Sequence, residues 1–290
     1  MSIWISRPVI LFPPNTGRAR DVRFDFYLNN AATAYDQVFS GFGDITDQID
    51  SDHPEAETIA GAALRLALLD ASEIIKPSKV FDCRSSPAIG SPSPSYKLLM
   101  KAGMERAVPL CLQGQYGTEA IQALLFGLLE QQNGGALMAL SALNWPLQSQ
   151  WGGITRSAAV GAAMLLTNQR PRSGGFRLLA AATSRDPIDS LAAVRCVMAD
   201  TMQRVGIVTE APSWAIVHNG PSELIDAVTN YQPQLVILKR ATYLNTDFGC
   251  ADLMVSLKEL EPTLPIGTPG ILVGTGRSGM AGAIIVIPDL

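Results

Sequence analysis

The stretch that decides the fold is Trp214–Asn219, with the sequence WAIVHN, read together with Leu244–Asp247, LNTD. The first is a short apolar run, typical of a buried strand, that ends in a His-Asn pair. The second places Asn245 on a turn just before a long helical pattern. An imidazole at the end of a buried strand and an amide on a later turn can hold a carbonyl or an oxyanion by hydrogen bonds. The two stretches therefore predict a polar site that a nucleophile should accompany.

Composition limits the kinds of protein this can be. The chain has 290 residues, 47% apolar and 17% charged, which is enough for one large core or two ordinary ones. A net charge of −4 without a basic block argues against nucleic-acid binding. No apolar run reaches the length of a membrane span, and Met1–Arg7 lacks the layout of a signal peptide. We therefore expect a cytoplasmic protein.

The four cysteines are scattered without the spacing of a metal site. Cys83, Cys111, Cys196 and Cys250 are typical of buried thiols in a reducing cytoplasm. The sequence predicts neither a metal nor a cofactor.

Helical and apolar patterns alternate along the chain. Helices are predicted over Ala56–Ile75, Thr118–Gln132, Ile188–Val205, Pro221–Tyr231 and Phe248–Leu260. Strands are predicted over Val80–Cys83, Val108–Leu112, Ala136–Leu143, Ala158–Thr167, Phe176–Thr183, Trp214–Val217, Ile271–Val273 and Ala283–Ile287. Short apolar strands between helices indicate an α/β protein with sheets buried on both faces. Because the order of elements restarts, we predict two similar halves, residues 1–170 and 171–290. Residues 1–50 give no element.

Four stretches resemble the ketoacyl-synthase-III branch of the thiolase superfamily. They are Ala62–Ala71 with Lys76-Pro77 (the first long helix), Trp214–Asn219 with Leu224–Val228 (the strand of the catalytic histidine and its helix), Asn245-Thr246 with Gly249–Leu260 (the Asn-Thr-Ser motif), and Gly270–Ile287 (the closing strands). The resemblance implies a thiolase-like fold in a layered αβαβα arrangement, with His218 and Asn245 as the catalytic pair. It also implies a dimer formed through a sheet edge of the first half, which we assign to Ala136–Leu143.

The departure from that family is the nucleophile. The family's cysteine stands at the start of a buried helix, where the helix N-terminus lowers the thiol pKa. Alignment of Ala120–Leu129 with that helix puts Gly117 at the nucleophile position. Cys111 comes six residues earlier, inside a predicted buried strand. Without the cysteine, no covalent acyl-enzyme forms by the family's route.

Simpler interpretations exist for several of these residues. His218 is also compatible with a core histidine bonded to backbone, or with a relic of an ancestral site. For Asp247 and Glu119 we favour helix capping or a first-turn position over a role as site acids. Gly274–Gly279 has the dinucleotide spelling, but a strand follows it, so we predict a hairpin.

Three functions follow from the resemblance. The leading one is a cysteine-less subunit that pairs with a Cys-bearing ketosynthase, or with a second copy of itself, and shapes an acyl pocket. The competing one is an enzyme in which His218 and Asn245 polarise a thioester for acyl transfer or decarboxylation, with help from Gln113 and Gln115. The third is a stand-alone acyl-binding protein. In each case the acyl carrier is coenzyme A or acyl carrier protein, and neither a nucleic acid nor a membrane is a partner.

Overall fold

The chain folds into layered helices and sheets, described here from a computed structural model. The structure describes residues 2–12, 56–70, 77–85, 93–113, 117–133, 135, 137–144, 156–157, 160–186, 189–205, 211–219, 222–242, 246–276 and 279–290. Within these ranges, no helix combines the length and the apolar character needed to cross a membrane.

The predicted helices and strands are all present, in the predicted order, together with further elements. The strands are β1 (Ile3–Ser6), β2 (Val9–Leu11), β3 (Lys79–Arg84), β4 (Val108–Gln113), β5 (Met138–Asn144), β6 (Arg156–Ser157), β7 (Val160–Thr167), β8 (Gly175–Arg185), β9 (Trp214–Val217), β10 (Val236–Leu238), β11 (Thr246–Asp247), β12 (Gly270–Thr275) and β13 (Met280–Asp289). The helices are α1 (Ala56–Asp70), α2 (Pro94–Ala102), α3 (Glu119–Gln132), α4 (Ser190–Val205), α5 (Ser222–Tyr231) and α6 (Asp252–Leu260). Short 3-10 turns, Gly249–Ala251 and Glu261–Thr263, flank α6.

The two halves have the same strand topology. In the first half the order is β4-β3-β5-β7-β1, and in the second half it is β10-β9-β12-β13-β8. In each set the three outer strands run parallel and the two inner ones pair antiparallel. The first strand of each half, β1 and β8, pair antiparallel and join the two sets. The prediction of two similar α/β halves is confirmed, while their division into residues 1–170 and 171–290 stays a prediction.

Helices α3 and α6 form the central layer. Helix α3 contacts strands of both halves, including β5 and β8, and α6 contacts β7 and β12. Helices α1 and α2 cover the outer face of the first half, and α4 and α5 that of the second. Strand β7, VGAAMLLT, is buried at every position because it is covered on both faces. The result is the predicted αβαβα layering.

The outer edge of the first half is β4, and our assignment of the edge to Ala136–Leu143 was wrong. Strand β5 lies between β3 and β7, and all seven of its residues are buried. Strand β4, which we predicted to be buried, has β3 as its neighbour, and its residues are exposed or half-buried. Cys111 is consequently exposed rather than buried.

Several elements were missed in the sequence. Strands β1 and β2 lie in the first twelve residues, where Pro8 separates them. Helix α2 has Pro94 in its first turn and ends at Gly103, whose φ of 67° allows the left-handed cap. Strand β10 is only three residues long. Each of these elements is short, so its pattern in the sequence spans only a few residues.

Candidate functional site

His218 lies in the interior, directly after β9. Its backbone N–H donates to the Val273 carbonyl at 2.8 Å, which ties the strand end to β12. Its side chain is only 3% exposed. The ring Nε2 is 2.8 Å from Oδ1 of Asp247, and Nδ1 has no hydrogen-bond partner in the described part of the chain. The ring is therefore hydrogen-bonded at Nε2, while Nδ1 is buried without a partner among the described residues.

Gly117 lies against the Nδ1 side of the ring. It precedes α3 and has φ of 137°, a conformation that residues with side chains rarely adopt. A Cβ atom built on Gly117 would be 2.7 Å from Cε1 and 3.1 Å from Nδ1 of His218, and 2.4 Å from the Thr275 carbonyl oxygen. The structure thus brings together two of the three predicted site residues. It also leaves no space at position 117 for the side chain of a nucleophile.

The third predicted residue, Asn245, lies outside the described residues. Its neighbour Thr246 accepts a hydrogen bond from the side-chain amide of Asn219 at 2.8 Å and another from Arg240 at 2.8 Å. The expectation that Asn245 and His218 face a common pocket therefore remains a prediction.

Two carboxylates and a guanidinium surround the imidazole. Asp252, at the start of α6, accepts hydrogen bonds from the backbone N–H groups of Asn219 and Phe248, at 2.8 and 3.2 Å. It also pairs with Arg240 at 2.8 Å. All of these charged groups are nearly or fully buried. With His218 protonated, the cluster contains two cations and two anions, as a buried charge cluster should.

The pKa of His218 reflects this cluster. Burial and the charge of Arg240 lower this pKa. The charge and hydrogen bond of Asp247, together with the charge of Asp252, raise it by more. The net result is a pKa raised from 6.5 to about 9. At neutral pH the ring is therefore an imidazolium, and both of its nitrogens are donors. The buried Nδ1–H has no partner among the described residues, and in this protonation state it can donate a hydrogen bond but cannot accept a proton.

Asp247 was underestimated in the sequence, where we favoured a capping role. Its Oδ1 does accept the backbone N–H of Gly249 at 2.7 Å, as a capping residue would, but the same atom also pairs with His218. Glu119, by contrast, fits the local role, because its carboxylate accepts the Gly117 N–H at 2.8 Å.

A metal ion does not fit this cluster. Oxygen and nitrogen atoms of His218, Asp247 and Asp252 lie within 4.8 Å of one another. Backbone N–H groups and the Arg240 guanidinium already bind the two carboxylates. The charges of the cluster are balanced without an ion.

The thiols of the described residues are not placed as nucleophiles. Cys83 and Cys250 are buried, and burial raises the pKa of each well above its usual range. The Cys250 thiol donates to the carbonyls of Cys83 and Leu143, at 3.4 and 3.5 Å. Cys111 and Cys196 are exposed, which contradicts the prediction that all four are buried. No described cysteine occupies the position next to His218.

The remaining predicted residues are two glutamines and the Gly274–Gly279 turn, whose Thr275 carbonyl oxygen would lie 2.4 Å from a Cβ on Gly117. Gln113 is exposed at the end of β4, and Gln115 is outside the described residues. Gly274–Gly279 connects β12 and β13, which pair antiparallel. The predicted hairpin is confirmed, and no helix follows it.

Comparison with known proteins shows the fold. No protein-family model and no curated protein sequence matches the chain. Similar solved structures include 3-oxoacyl-(acyl carrier protein) synthase III, FabH, from Pseudomonas aeruginosa PAO1, with a TM-score of 0.70 and 14% identity over 99% of this chain and 98% of that chain. Xanthomonas campestris OleA, in a cysteine-to-serine variant with bound lauric acid and lauroyl-CoA, has a TM-score of 0.69 and 13% identity over 99% of both chains. The acyltransferase ChlB3 has the same TM-score and identity, over 99% and 98%. The chain has a thiolase-like fold.

Proposed function

We propose that this chain is a ketosynthase-III-like subunit that has lost its own nucleophile and pairs with a Cys-bearing condensing enzyme. The observation that carries the proposal is the backbone of Gly117 packed against His218. A cysteine there would place its Cβ 2.4 Å from the Thr275 carbonyl oxygen, inside van der Waals contact. The histidine of a thiolase-like site is present, but no described cysteine lies beside it on which an acyl-enzyme could form.

The exposed edge of the first half supports the partner role. Strand β4 presents Val108 at 53% exposure, and the neighbouring helix α3 presents Phe126 and Leu129 at 50% and 46%. Between strand and helix lies a groove of about 510 Å³ lined in part by Leu110 and Leu112. Unpaired edges with apolar surroundings invite pairing with another chain. We assign the partner's position to β4, with an interface on the order of 2,000 Å².

The acyl chemistry of the proposal comes from its structural neighbours. OleA was solved with lauric acid and lauroyl-CoA bound, and FabH is a synthase that acts with acyl carrier protein. An acyl thioester is therefore the substrate class to test with this chain.

Co-purification of the native protein tests the partner role. We expect a stoichiometric Cys-bearing ketosynthase to accompany the chain, and condensation by that partner to need the chain but to survive His218→Ala in it. Recovery of the chain alone, together with turnover of acyl or malonyl thioesters by it, would contradict the proposal.

The unpartnered Nδ1 of His218 favours a second function, decarboxylation of a malonyl thioester. The bond between the α-carbon and the carboxylate breaks, CO₂ leaves, and the electron pair forms an enolate whose oxygen the imidazolium N–H holds. A proton from solvent then gives the acetyl thioester. Turnover of malonyl-CoA by the isolated chain, abolished by His218→Gln, would establish this function in place of the first.

A further inference from the structure

The turn that carries Asp247 is anchored by the other half of the molecule. Asp247 Oδ1 accepts two hydrogen bonds, one from the Gly249 N–H at 2.7 Å and one from His218 Nε2 at 2.8 Å. Because both bonds use one oxygen atom, the orientation of the Gly249 peptide decides where that oxygen lies relative to the ring.

Gly249 fits its place without a side chain. Its φ is 53°, in the left-handed region. A Cβ atom there would be 2.1 Å from Ser85 Oγ and 2.6 Å from Asn144 Oδ1. Ser85 follows β3 and Asn144 ends β5, so the turn of the second half is packed directly on the carboxyl ends of two parallel strands of the first half.

Ser85 also binds the next peptide of the turn. Its Oγ accepts the Cys250 N–H at 2.8 Å, while the Cys250 thiol donates to the carbonyls of Cys83 and Leu143, the next-to-last residues of β3 and β5. Ser85 is 1% exposed and Cys250 is 1% exposed. Loss of the hydroxyl would leave a buried N–H without its acceptor, which the turn can relieve only by moving.

We propose that Ser85 is a positioning residue for the His218–Asp247 pair: its hydroxyl fixes the Gly249–Cys250 turn and thereby holds the Asp247 carboxylate against the imidazole. The first half of the fold thus sets the geometry of a charged pair that belongs entirely to the second half. This inference rests on the proposed function only in treating His218 as the polar centre of the site.

The pKa of His218 depends on how close the Asp247 carboxylate lies to the ring. It can be measured on the protein alone, without substrate or partner. Asp247 is the main group that raises that pKa, while Asp252 raises it and Arg240 lowers it from their own hydrogen-bonded positions. A carboxylate that moves away from the ring stabilises the imidazolium less. The chain has two histidines, so a His53→Asn background leaves one imidazole signal to titrate by NMR.

In that background, we expect Ser85→Ala to lower the pKa of His218 by about half a unit or more, and Gly249→Ala to lower it further. Ser141→Ala is the matched control, because Ser141 is also fully buried in the first-half sheet but its hydroxyl has no hydrogen-bond partner in the described part of the chain. It should leave the pKa unchanged. Asp247→Asn gives the full effect of losing the carboxylate charge.

A pKa that stays at the wild-type value in folded Ser85→Ala, while Asp247→Asn lowers it, would overturn the inference. If Ser85→Ala does not fold, Ser85→Cys decides, because a thiol of similar size is a weaker acceptor and should give a smaller decrease; no decrease would again overturn it. Since the protein is titrated alone, catalytic activity of the chain would refute the proposed function and leave this inference standing.

Discussion

His218 and Asp247 are 29 residues apart in the sequence, and their Nε2 and Oδ1 atoms are 2.8 Å apart in the interior of the protein. The ion pair joins the end of β9 to the turn before α6. It makes the imidazole a cation at neutral pH, with one N–H bonded to the carboxylate and Gly117 packed against the other side of the ring.

The ion pair should make stability depend on pH. The pKa of His218 is raised in the folded state to about 9 from its ordinary 6.5, so its stabilisation is complete below about pH 6.5 and is lost as the pH rises through 9. The free energy of unfolding should fall by on the order of 3 kcal/mol across that window. Urea unfolding from about pH 6 to about pH 10 measures it.

Asp247→Asn is the control for this pH dependence, because the amide cannot hold the charge on the ring. The variant should be less stable at neutral pH. Its free energy of unfolding should hardly change between pH 6.5 and 9. An unchanged slope in Asp247→Asn would assign the pH dependence to other groups.

Restoring a side chain at position 117 should destabilise the fold. Gly117→Cys and Gly117→Ala both meet the Thr275 carbonyl and both force a strained φ, so each should lower the free energy of unfolding by about 2–4 kcal/mol. Gly267→Ala is the matched control, since its φ is also positive but its Cβ would have nothing within 4 Å. It should cost about 1 kcal/mol. A Gly117→Cys protein as stable as the wild type would show that the site holds a nucleophile easily.

A lysine on the β4 edge should block pairing. Val108 begins β4 and Val236 begins β10, and the two strands are equivalent edges of the two halves, with the two valines 53% and 61% exposed. Val108→Lys should convert a paired species to single chains, while Val236→Lys should leave it paired. Analytical ultracentrifugation distinguishes the two results. Dissociation by Val236→Lys alone would move the interface to the second half.

The sequence predicted the class of fold better than the position of each strand. Val108–Leu112 and Ala136–Leu143 are both short apolar runs, and an apolar run does not reveal whether a strand has one neighbour or two. Pro109 was the available signal, because proline within a run favours an edge strand. We gave it no weight, and the edge was misplaced. A charge in the middle of β5, as in Leu140→Asp, would lie at a fully buried position and not at an edge.

The site was predicted in part for a similar reason. The alignment of α3 placed Gly117 at the nucleophile position, and the structure puts it beside His218. The partner of the histidine was not found, because an aspartate before a helix looks the same in sequence whether it caps the helix or binds a distant ring. No motif in the sequence pointed to Asp252, Arg240 or Ser85. Each of them acts through a contact that only the folded chain creates.

The central claim is that this chain holds the polar centre of a thiolase-like site without covalent chemistry of its own. Intact mass spectrometry of the isolated protein after incubation with lauroyl-CoA, with release of free coenzyme A followed in parallel, tests it most directly. We predict an unchanged mass and no release above the rate seen without protein. A stable acyl adduct on any cysteine, or release of coenzyme A that His218→Gln abolishes, would contradict the claim.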